Sequence, residues 1–340
     1  MNTPLITVLI DSYNYARFIE EAIDSVLSQD FPKEQMQILV VDDGSTDDTA
    51  ERVRKYGSSI EYVRKENGGQ ASAFNVGFQH AKGDIVVLLD ADDYFLPGKL
   101  RRIVEEFEKH PDAGMVYHAR LELFSDTGSL KDEPEFVGLT GFIAKDEEKM
   151  DKYVPYPTSC LAVRRKIAER VLPISGSLRL QADGQFGFLI PLIAPIVAVA
   201  EPLAVYRIHG NNLFYTSETA GLEGMQRRAK SFMNLIREVK LWMKEHKQDV
   251  KGAKTGVFFG RHTLLAEEHQ FRVDPPGRLR FFSFLLRQNY TYRRLQTRKF
   301  TIYNYLTAVP ALIIGYKNKH IFYEWRRRML ERFESVLTRL

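Results

Sequence analysis

The stretch Ile85–Asp93, IVVLLDADD, decides the fold class of this 340-residue chain. Ile85–Leu89 is wholly apolar, which is typical of a strand buried on both faces. The run ends at Asp90, and a further acid follows two residues later at Asp92. Carboxylates at this spacing are hard oxygen ligands that suit Mg²⁺ or Mn²⁺ bridging a diphosphate. The other interpretation of these four residues is a solvated turn in which Asp90 caps the next element.

Two strands upstream end in the same way. Ile6–Ile10 runs into the polar segment Asp11–Asn14, and Gln37–Val41 runs into Asp42–Ser45. Strands that alternate with helices predict a parallel sheet covered on both faces, whose ligands bind outside the carboxyl ends of the strands. Three acidic strand ends on one sheet edge therefore predict a ligand site. The segments between and after them show the helical period over 18–27, 71–81 and 100–109.

The second acidic strand end also predicts where a helix begins. Ser45 or Thr46 is expected to cap a helix that runs to about Tyr56, because hydroxyl side chains satisfy free amides at a helix start. Ile60–Arg64 is expected to be a third strand. Residues 120–157 are less regular, and 158–172 is predicted to be a strand followed by a helix.

Composition bounds the class of protein. With 44% hydrophobic and 27% charged residues the chain has the composition of a globular protein, which excludes disordered and fibrous classes. The single cysteine, Cys160, excludes an intrachain disulfide and is expected to be a small buried hydrophobe. The N-terminal residues lack the basic region of a signal peptide, so we expect a cytoplasmic protein.

Charge divides the chain into two parts. The first 210 residues are net acidic and the remainder is net basic, although the whole chain has a formal charge of +4. Length and charge together predict a catalytic domain over 1–215 and a helical, basic C-terminal region over 216–340. Residues 278–340 hold 14 Lys and Arg against 3 Asp and Glu, interleaved with aromatic residues.

That basic, aromatic segment has two interpretations. It suits peripheral binding to an anionic membrane surface, on the inner face of the cytoplasmic membrane. It also suits a helical cap that packs its aromatic residues on the catalytic domain. We expect no nucleic-acid partner, because no recognition motif accompanies the charge.

Two apolar stretches are candidates for membrane-spanning segments. Phe188–Tyr206 contains three prolines and a glutamate, so we expect a buried core segment. Tyr303–Tyr316 is shorter than the roughly 20 residues that a crossing needs. It is expected to lie on a membrane rather than cross it.

Taken together, the motifs resemble the family 2 glycosyltransferases of the GT-A fold. The resemblance implies an α/β protein with a GT-A (Rossmann-like), mostly parallel sheet flanked by helices. It implies an inverting glycosyltransferase that moves a sugar from a nucleotide-diphosphate donor, a UDP-sugar being favoured, to a hydroxyl of a glycan or lipid-linked acceptor. Polysaccharide or glycoconjugate synthesis is the implied setting. The motifs follow the family's order over about residues 5–215: Val8–Asn14, Val40–Asp47, Asn67–Gly69, Asp90–Asp93, Ala182–Asp183 and Tyr206–Asn212.

The resemblance assigns the nucleoside and sugar to four positions. Asp43 would accept the N3–H of a uracil or similar base, and Tyr13 would contact that base with its ring. Asp90 would face the ribose or the sugar. Asp11 stands among these residues where the family often has Thr or Pro.

The diphosphate site departs from the family pattern. The family frequently has an Arg immediately before Asn75, where it helps to hold the diphosphate, and this chain has Phe74. We therefore expect the diphosphate to be bound by the metal, by backbone amides after Gly69, and by Gln70 or Arg207.

The metal and the catalytic base complete the implied site. Asp92 and His209 would ligate Mn²⁺ or Mg²⁺, since an imidazole nitrogen suits Mn²⁺. Asp183 matches the family's base, which removes the acceptor proton as the oxygen attacks the anomeric carbon. The residue before it is Ala where the family often has Glu, so Asp146 and Asp151 remain alternatives.

Three other classes share some of these features. A haloacid-dehalogenase-type phosphohydrolase also has an apolar strand before Asp-x-Asp, but Thr or Val usually stands at the position of Tyr94. A nucleotidyltransferase would show a glycine-rich basic loop after its first strand, which Asp11–Ala16 is not. An inactive nucleotide-sugar-binding protein stays open because of the departures at Phe74 and Ala182.

Overall fold

The apolar runs of the sequence form the strands of one sheet in a computed structural model, which describes residues 6–133, 135–210, 212, 221–247 and 255–292. The strands are β1 (Ile6–Ser12), β2 (Met36–Asp42), β3 (Glu61–Arg64), β4 (Ile85–Asp90), β5 (Tyr94–Phe95), β6 (Met115–Phe124), β7 (Ser129–Asp132), β8 (Leu161–Arg164) and β9 (Ile196–Ile208). The helices are α1 (Ile19–Leu27), α2 (Thr49–Arg54), α3 (Gln70–His80), α4 (Lys99–Lys109), α5 (Glu147–Lys152), α6 (Arg165–Ala168), α7 (Asp183–Ile193), α8 (Gly221–Glu245), α9 (Gly256–Val273) and α10 (Arg278–Tyr292).

The strand order is β3-β2-β1-β4-β8-β6-β9-β5, with β7 paired to β6. The first four strands of this order are parallel, and β9 is parallel to β6. All other pairings are antiparallel among the described residues. The α/β class with helices on the sheet is confirmed, and most paired residues belong to the parallel pairings, while β5, β7 and β8 pair antiparallel. The irregular region after residue 120 contains a short hairpin, β6–β7, and such a connection can join only antiparallel strands.

Strand register brings the acidic strand ends together. In the parallel pairing of β1 with β4, Asp11 lies opposite Asp90, and in that of β1 with β2, Ser12 lies opposite Asp42. Neighbouring strands are about 4.8 Å apart, so these side chains share one edge of the sheet. The strands behind them are buried, from Ile85 at 2% exposure to Leu89 at 0%. Apolar burial on both faces therefore fixes the register that gathers the carboxyl groups.

The predicted cap of α2 is wrong. The helix begins at Thr49, and neither Ser45 nor Thr46 caps it. The Ser45 hydroxyl instead accepts a hydrogen bond from Asn14 N at 2.9 Å, and Thr46 N donates to Asn14 Oδ1 at 2.7 Å. Asn14 adopts φ +58°, a conformation that asparagine tolerates. These residues tie the loop after β1 to the loop after β2.

The apolar stretch 188–206 is a core segment, as predicted. It comprises most of α7, whose residues from Gly184 onward are buried, and the greater part of β9. No helix within the described ranges has the length and apolar character that a membrane crossing requires. Cys160 is buried, in agreement with its expected role as a small hydrophobe. The second stretch, Tyr303–Tyr316, lies outside the described residues.

The chain divides into two compact units, residues 1–219 with 237–254 and residues 220–236 with 255–340. The described part of the second unit is helical, as predicted for the C-terminal region. Its core contains Phe271 of α9 and Phe281 and Phe284 of α10, so aromatic residues at the start of the basic segment pack internally. Residues 293–340 of that segment lie outside the described residues, and the functional division at residue 215 stays a prediction.

Gly83 provides a test of the packing at the base of the sheet. A Cβ there would lie 2.4 Å from both Ile6 C and Thr7 N. We expect Gly83→Ala to lower the free energy of unfolding by about 1–3 kcal/mol, because the clash is with main-chain atoms that cannot rotate away. Denaturant unfolding followed by circular dichroism measures the change.

The matched control is Gly176→Ala, since no atom lies within 4 Å of its added Cβ. This variant should unfold like the wild type, or be stabilised by up to about 1 kcal/mol through the lower entropy of its unfolded chain. Equal unfolding of the two variants would contradict the packing described at Gly83.

Candidate active site

Two carboxyl groups face each other where β1 and β4 end. In the pairing of the two strands Asp11 lies opposite Asp90, so their carboxyl groups share one edge of the sheet. Burial raises the pKa of Asp11 to about 7, and the charges of Asp92 and Asp183 act in the same direction. Burial and the neighbouring charge of Asp11 also raise the pKa of Asp90. The strand ends therefore carry poorly solvated carboxyl groups that bind a proton more readily than ordinary aspartates do.

Asp93 supports the loop after β4. Its two oxygens accept hydrogen bonds from the Ser159 hydroxyl at 2.6 Å and from Arg207 N at 2.8 Å. The Ser159 hydroxyl also accepts a hydrogen bond from Asp90 N at 3.1 Å. Asp93 is 1% exposed, so both bonds are protected from water. This carboxylate joins the loop to β9 and to the turn before β8.

Asp92 contacts His209, as the predicted metal pair requires. His209 Nε2 lies 3.0 Å from Asp92 Oδ2, and both side chains are 9% exposed. The imidazole ring packs beside Phe18, with 5.0 Å between ring centroids. Pairing of β5 with β9 brings the C-terminal end of β9 beside the loop that carries Asp92.

The donor atoms fit a divalent cation. One carboxylate oxygen from each of Asp90, Asp92 and Asp93 lies within 4.8 Å of the others. Burial and mutual repulsion raise the pKa values of Asp90 and Asp93, and a bound cation would reverse that effect. Carboxylates with an imidazole nitrogen suit Mg²⁺ or Mn²⁺. Asp92 and Asp90 are the better ligands, because both oxygens of Asp93 are already hydrogen-bonded.

Asp43 organises the turn that precedes α3. Its carboxylate accepts hydrogen bonds from Gly68 N at 2.9 Å and from Gly69 N at 2.7 Å, and Lys65 Nζ lies 2.6 Å away. The carboxylate is buried, and Oδ2, which accepts the hydrogen bond from Gly69 N, retains acceptor capacity for one further donor. Gly69 has φ +85°, a value that favours glycine. The predicted base-binding residue is therefore held in place by the turn it supports.

Gln70 connects the acidic edge to the start of α7. Its amide nitrogen donates to Asp90 Oδ1 at 3.2 Å and to the Thr158 hydroxyl at 3.3 Å. Its amide oxygen accepts a hydrogen bond from Ala182 N at 2.9 Å. Asp183, the next residue, begins α7 and is hydrogen-bonded by Thr158 and by Gly184 N.

The predicted base lies beside the acidic edge. Burial raises the pKa of Asp183 to about 6, although hydrogen bonds from Gly184 N and Thr158 oppose the shift. Its charge acts on both Asp11 and Asp90.

The alternative bases have other positions. Asp146 caps α5 by accepting a hydrogen bond from Lys149 N at 3.1 Å, and Asp151 is buried on the same helix. The assignment of Asp183 as the base stays a prediction.

Three other residues singled out in the sequence have different environments. Arg207 donates from Nε to Asp92 O at 2.8 Å, pairs with Glu21 and is 9% exposed, so its guanidinium is committed to the protein. Phe74 is fully buried against Phe186 and belongs to the core. Tyr13 is 42% exposed, which leaves its ring free to contact a ligand.

Sequence patterns do not indicate the turn Thr158–Cys160, whose side chains contact several residues of the site. Thr158 and Ser159 bond Gln70, Asp90, Asp93 and Asp183 as described above. The turn is held from below by Lys99, whose Nζ donates to Ser159 O at 2.7 Å and lies 3.6 Å from the Phe95 ring centroid. Burial lowers the pKa of Lys99 to about 7. A lysine at a helix start gives no local signal of such burial.

Comparison with known proteins agrees with the geometry. Residues 7–172 match the family model "Glycosyl transferase family 2". An uncharacterised glycosyltransferase of Nostoc sp. is 35% identical over 228 residues, which cover 64% of this chain and 69% of that protein. The chain belongs to glycosyltransferase family 2 and is a glycosyltransferase.

Solved structures show the same fold. Residues 1–349 of TarS from S. aureus, in complex with UDP-GlcNAc, align with a TM-score of 0.53 at 20% identity, covering 89% of this chain and 90% of that one. The mannosyltransferase PcManGT from Pyrobaculum calidifontis, in complex with GDP-Man and Mn²⁺, aligns with a TM-score of 0.50 at 20% identity, covering 94% and 88%. Both likenesses confirm the GT-A type of fold.

Asp92 is the predicted metal ligand, whereas Asp93 accepts hydrogen bonds that hold the loop, and alanine variants separate the two roles. Asp93→Ala leaves Ser159 and Arg207 N without a buried acceptor, so we expect the metal-free free energy of unfolding to fall by about 2 kcal/mol or more. Asp92→Ala should instead remove the rise in melting temperature that Mn²⁺ causes in the wild type. Thermal denaturation with EDTA and with Mn²⁺ measures both effects.

Each variant serves as the control for the other. A normal Mn²⁺ shift in Asp92→Ala would refute its assignment as a ligand. An Asp93→Ala variant as stable as the wild type without metal would refute the supporting role of that carboxylate.

Proposed function

We propose that this enzyme is an inverting glycosyltransferase that transfers a sugar from a nucleoside-diphosphate donor to an acceptor hydroxyl. The observation that carries the proposal is the position of Asp183, a buried carboxyl group with a raised pKa beside a separate cluster that fits a cation. One base and one cation site are sufficient for a single displacement at the anomeric carbon. A covalent intermediate is not required.

The donor fits the edge formed by the strand ends. Asp43 is proposed to accept the N3–H of the base, and the exposed ring of Tyr13 to contact it. Asp11 and Asp90 would lie beside the sugar and ribose, with Gly69 and Gln70 beside the diphosphate. The fold is shared with proteins whose complexes contain UDP-GlcNAc and GDP-Man, which supports a nucleotide-sugar donor. We favour a UDP-sugar because the Asp43 carboxylate matches the N3–H of uracil.

Asp183 is proposed to accept the proton of the attacking hydroxyl. A carboxyl group with a pKa of about 6 is mostly unprotonated at neutral pH, yet binds a proton better than an ordinary aspartate. Gly184 N and Thr158 stabilise the charged form and orient it. Asp92, Asp90 and His209 would hold a divalent cation, which would supply charge neutralisation to the diphosphate leaving group.

Release of nucleotide from a panel of UDP-, GDP- and dTDP-sugars with Mn²⁺ or Mg²⁺ tests this proposal. The wild type should slowly hydrolyse one donor class, and EDTA should abolish the release. Donor binding is measured separately by thermal shift. Binding without turnover of any donor, under all acceptor conditions, would instead support an inactive nucleotide-sugar-binding protein. Release of phosphate from simple phosphomonoesters would support a phosphohydrolase.

The Asp183→Asn variant tests the base and its titration. We expect the rate to fall by about a hundredfold or more with donor binding retained, which is the usual contribution of a general base. The wild-type rate should fall as the pH drops below about 6, because protonation of Asp183 removes the acceptor of the proton. Residual turnover by Asp183→Asn should lack this acidic limb.

Asp146→Asn is the matched control, since asparagine can also cap α5 and should leave the rate and the pH profile unchanged. A normal rate for Asp183→Asn, or a large loss for Asp146→Asn, would show that the base has been misassigned.

The acceptor and the location of the enzyme also remain proposals. We propose a glycan or lipid-linked hydroxyl, reached at an anionic membrane surface through the basic segment 278–340. Co-sedimentation with anionic liposomes should be lost when residues 293–340 are removed, while donor binding persists. Equal recovery in the supernatant with and without these residues would exclude the membrane role.

A further inference from the structure

The donor diphosphate needs a cationic partner from the protein. The site carries several carboxyl groups, and a diphosphate that approaches them is repelled unless positive charge is nearby. A cation held at Asp92 would neutralise part of this charge. Arginine is the side chain whose planar fork best matches phosphate oxygens.

Most cations near the strand ends are already paired with carboxylates. Lys65 lies 2.6 Å from Asp43, and Arg64 lies 3.6 Å from Asp42. Arg207 pairs with Glu21 and is buried. Each of these side chains would have to break an ion pair before it could bind a phosphate.

Arg179 is different. Its guanidinium donates to the amide oxygen of Asn67, a neutral acceptor, and the residue is exposed. Within the described ranges no carboxylate forms an ion pair with it. Exchanging a neutral amide for a charged phosphate oxygen strengthens the hydrogen bond rather than weakening it.

The backbone of Arg179 is fixed against the turn that precedes α3. Gln70 N donates to Arg179 O at 3.0 Å, and a Cβ on Gly69 would lie 2.7 Å from Arg179 Cα. Gly69 is therefore needed for this approach as well as for its positive φ. The close packing holds Arg179 at a set distance from the Gly69 amide.

Arg179 also lies between the two ends of the proposed donor. Its guanidinium bonds Asn67, whose side chain in turn donates to Asp43 O at 3.0 Å on the nucleoside side. Its carbonyl bonds Gln70, whose side chain reaches Asp90 on the sugar side. The diphosphate is the part of a nucleotide-sugar that joins these two ends.

We propose that Arg179 binds the diphosphate of the donor, its guanidinium moving from the Asn67 amide oxygen to phosphate oxygens when the nucleotide-sugar binds. This inference rests on the proposed function. It assigns the diphosphate to a side chain on the loop before α7 rather than to Phe74, which is in the core, or to Arg207.

The test compares nucleotides that differ only in the diphosphate. Affinities for UDP and uridine, and for GDP and guanosine, are measured with Mn²⁺ by calorimetry and ligand-observed NMR. For the pair that the wild type binds, Arg179→Ala should lower the affinity for the diphosphate by about tenfold to a hundredfold. Affinity for the nucleoside should change less than about twofold, and Arg179→Lys should recover part of the loss.

Nucleoside binding is the internal control for folding, because a disturbed turn would displace Asp43 and weaken the nucleoside too. Arg54→Ala, an exposed arginine on α2, controls for the loss of one positive charge. If the wild type binds neither diphosphate, the proposed function fails and this inference with it. If the wild type binds and Arg179→Ala binds the diphosphate equally well, or loses the nucleoside to the same degree, only the assignment of Arg179 fails.

Discussion

The pairing of β1 with β4 sets Asp11 opposite Asp90, and the rest of the site is arranged around these two carboxyl groups. Burial of like charges at one sheet edge is unfavourable, and the protein reduces the cost with fixed hydrogen-bond donors. Gln70 donates to Asp90, and Ser159 and Arg207 N donate to the neighbouring Asp93. A cation would relieve the same repulsion. The unfavourable free energy of the crowded carboxylates in the metal-free protein would therefore favour the binding of a cation.

Much of this arrangement could be predicted from the sequence. The continuous apolar character of β1, β2 and β4 predicted buried parallel strands, and the rule that ligands bind at their carboxyl ends placed Asp11, Asp43 and Asp90 together. Those predictions rest on local pattern and on a general property of parallel sheets. They require only that each acid directly follows the apolar run of its strand.

Other parts depend on packing that no short window of sequence contains. The sequence predicts the 13-residue strand β9 only as part of a buried segment, because Glu201 and Pro202 interrupt its apolar pattern. Ser45 has the residue type of a helix cap but bonds a loop distant in sequence. The sequence predicts that Arg207 is available for the diphosphate, whereas in the structure its guanidinium pairs with Glu21. The contacts of Thr158 and Arg179 likewise follow from loops that meet only in the folded protein.

The positions of the partners along the chain have a consequence for synthesis. The three acids of the sheet edge, Asp11, Asp90 and Asp93, are all complete by residue 93. Ser159 and the backbone amide of Arg207, which donate hydrogen bonds to Asp93, come much later in the chain. At the usual rate of elongation the ribosome adds these partners several seconds after the acids. A chain that ended before residue 159 would lack these donors, so its acidic strand ends could be buried only at the full cost of removing the carboxylates from water. Shortened forms of this enzyme would become targets for chaperones and proteases rather than smaller binding modules.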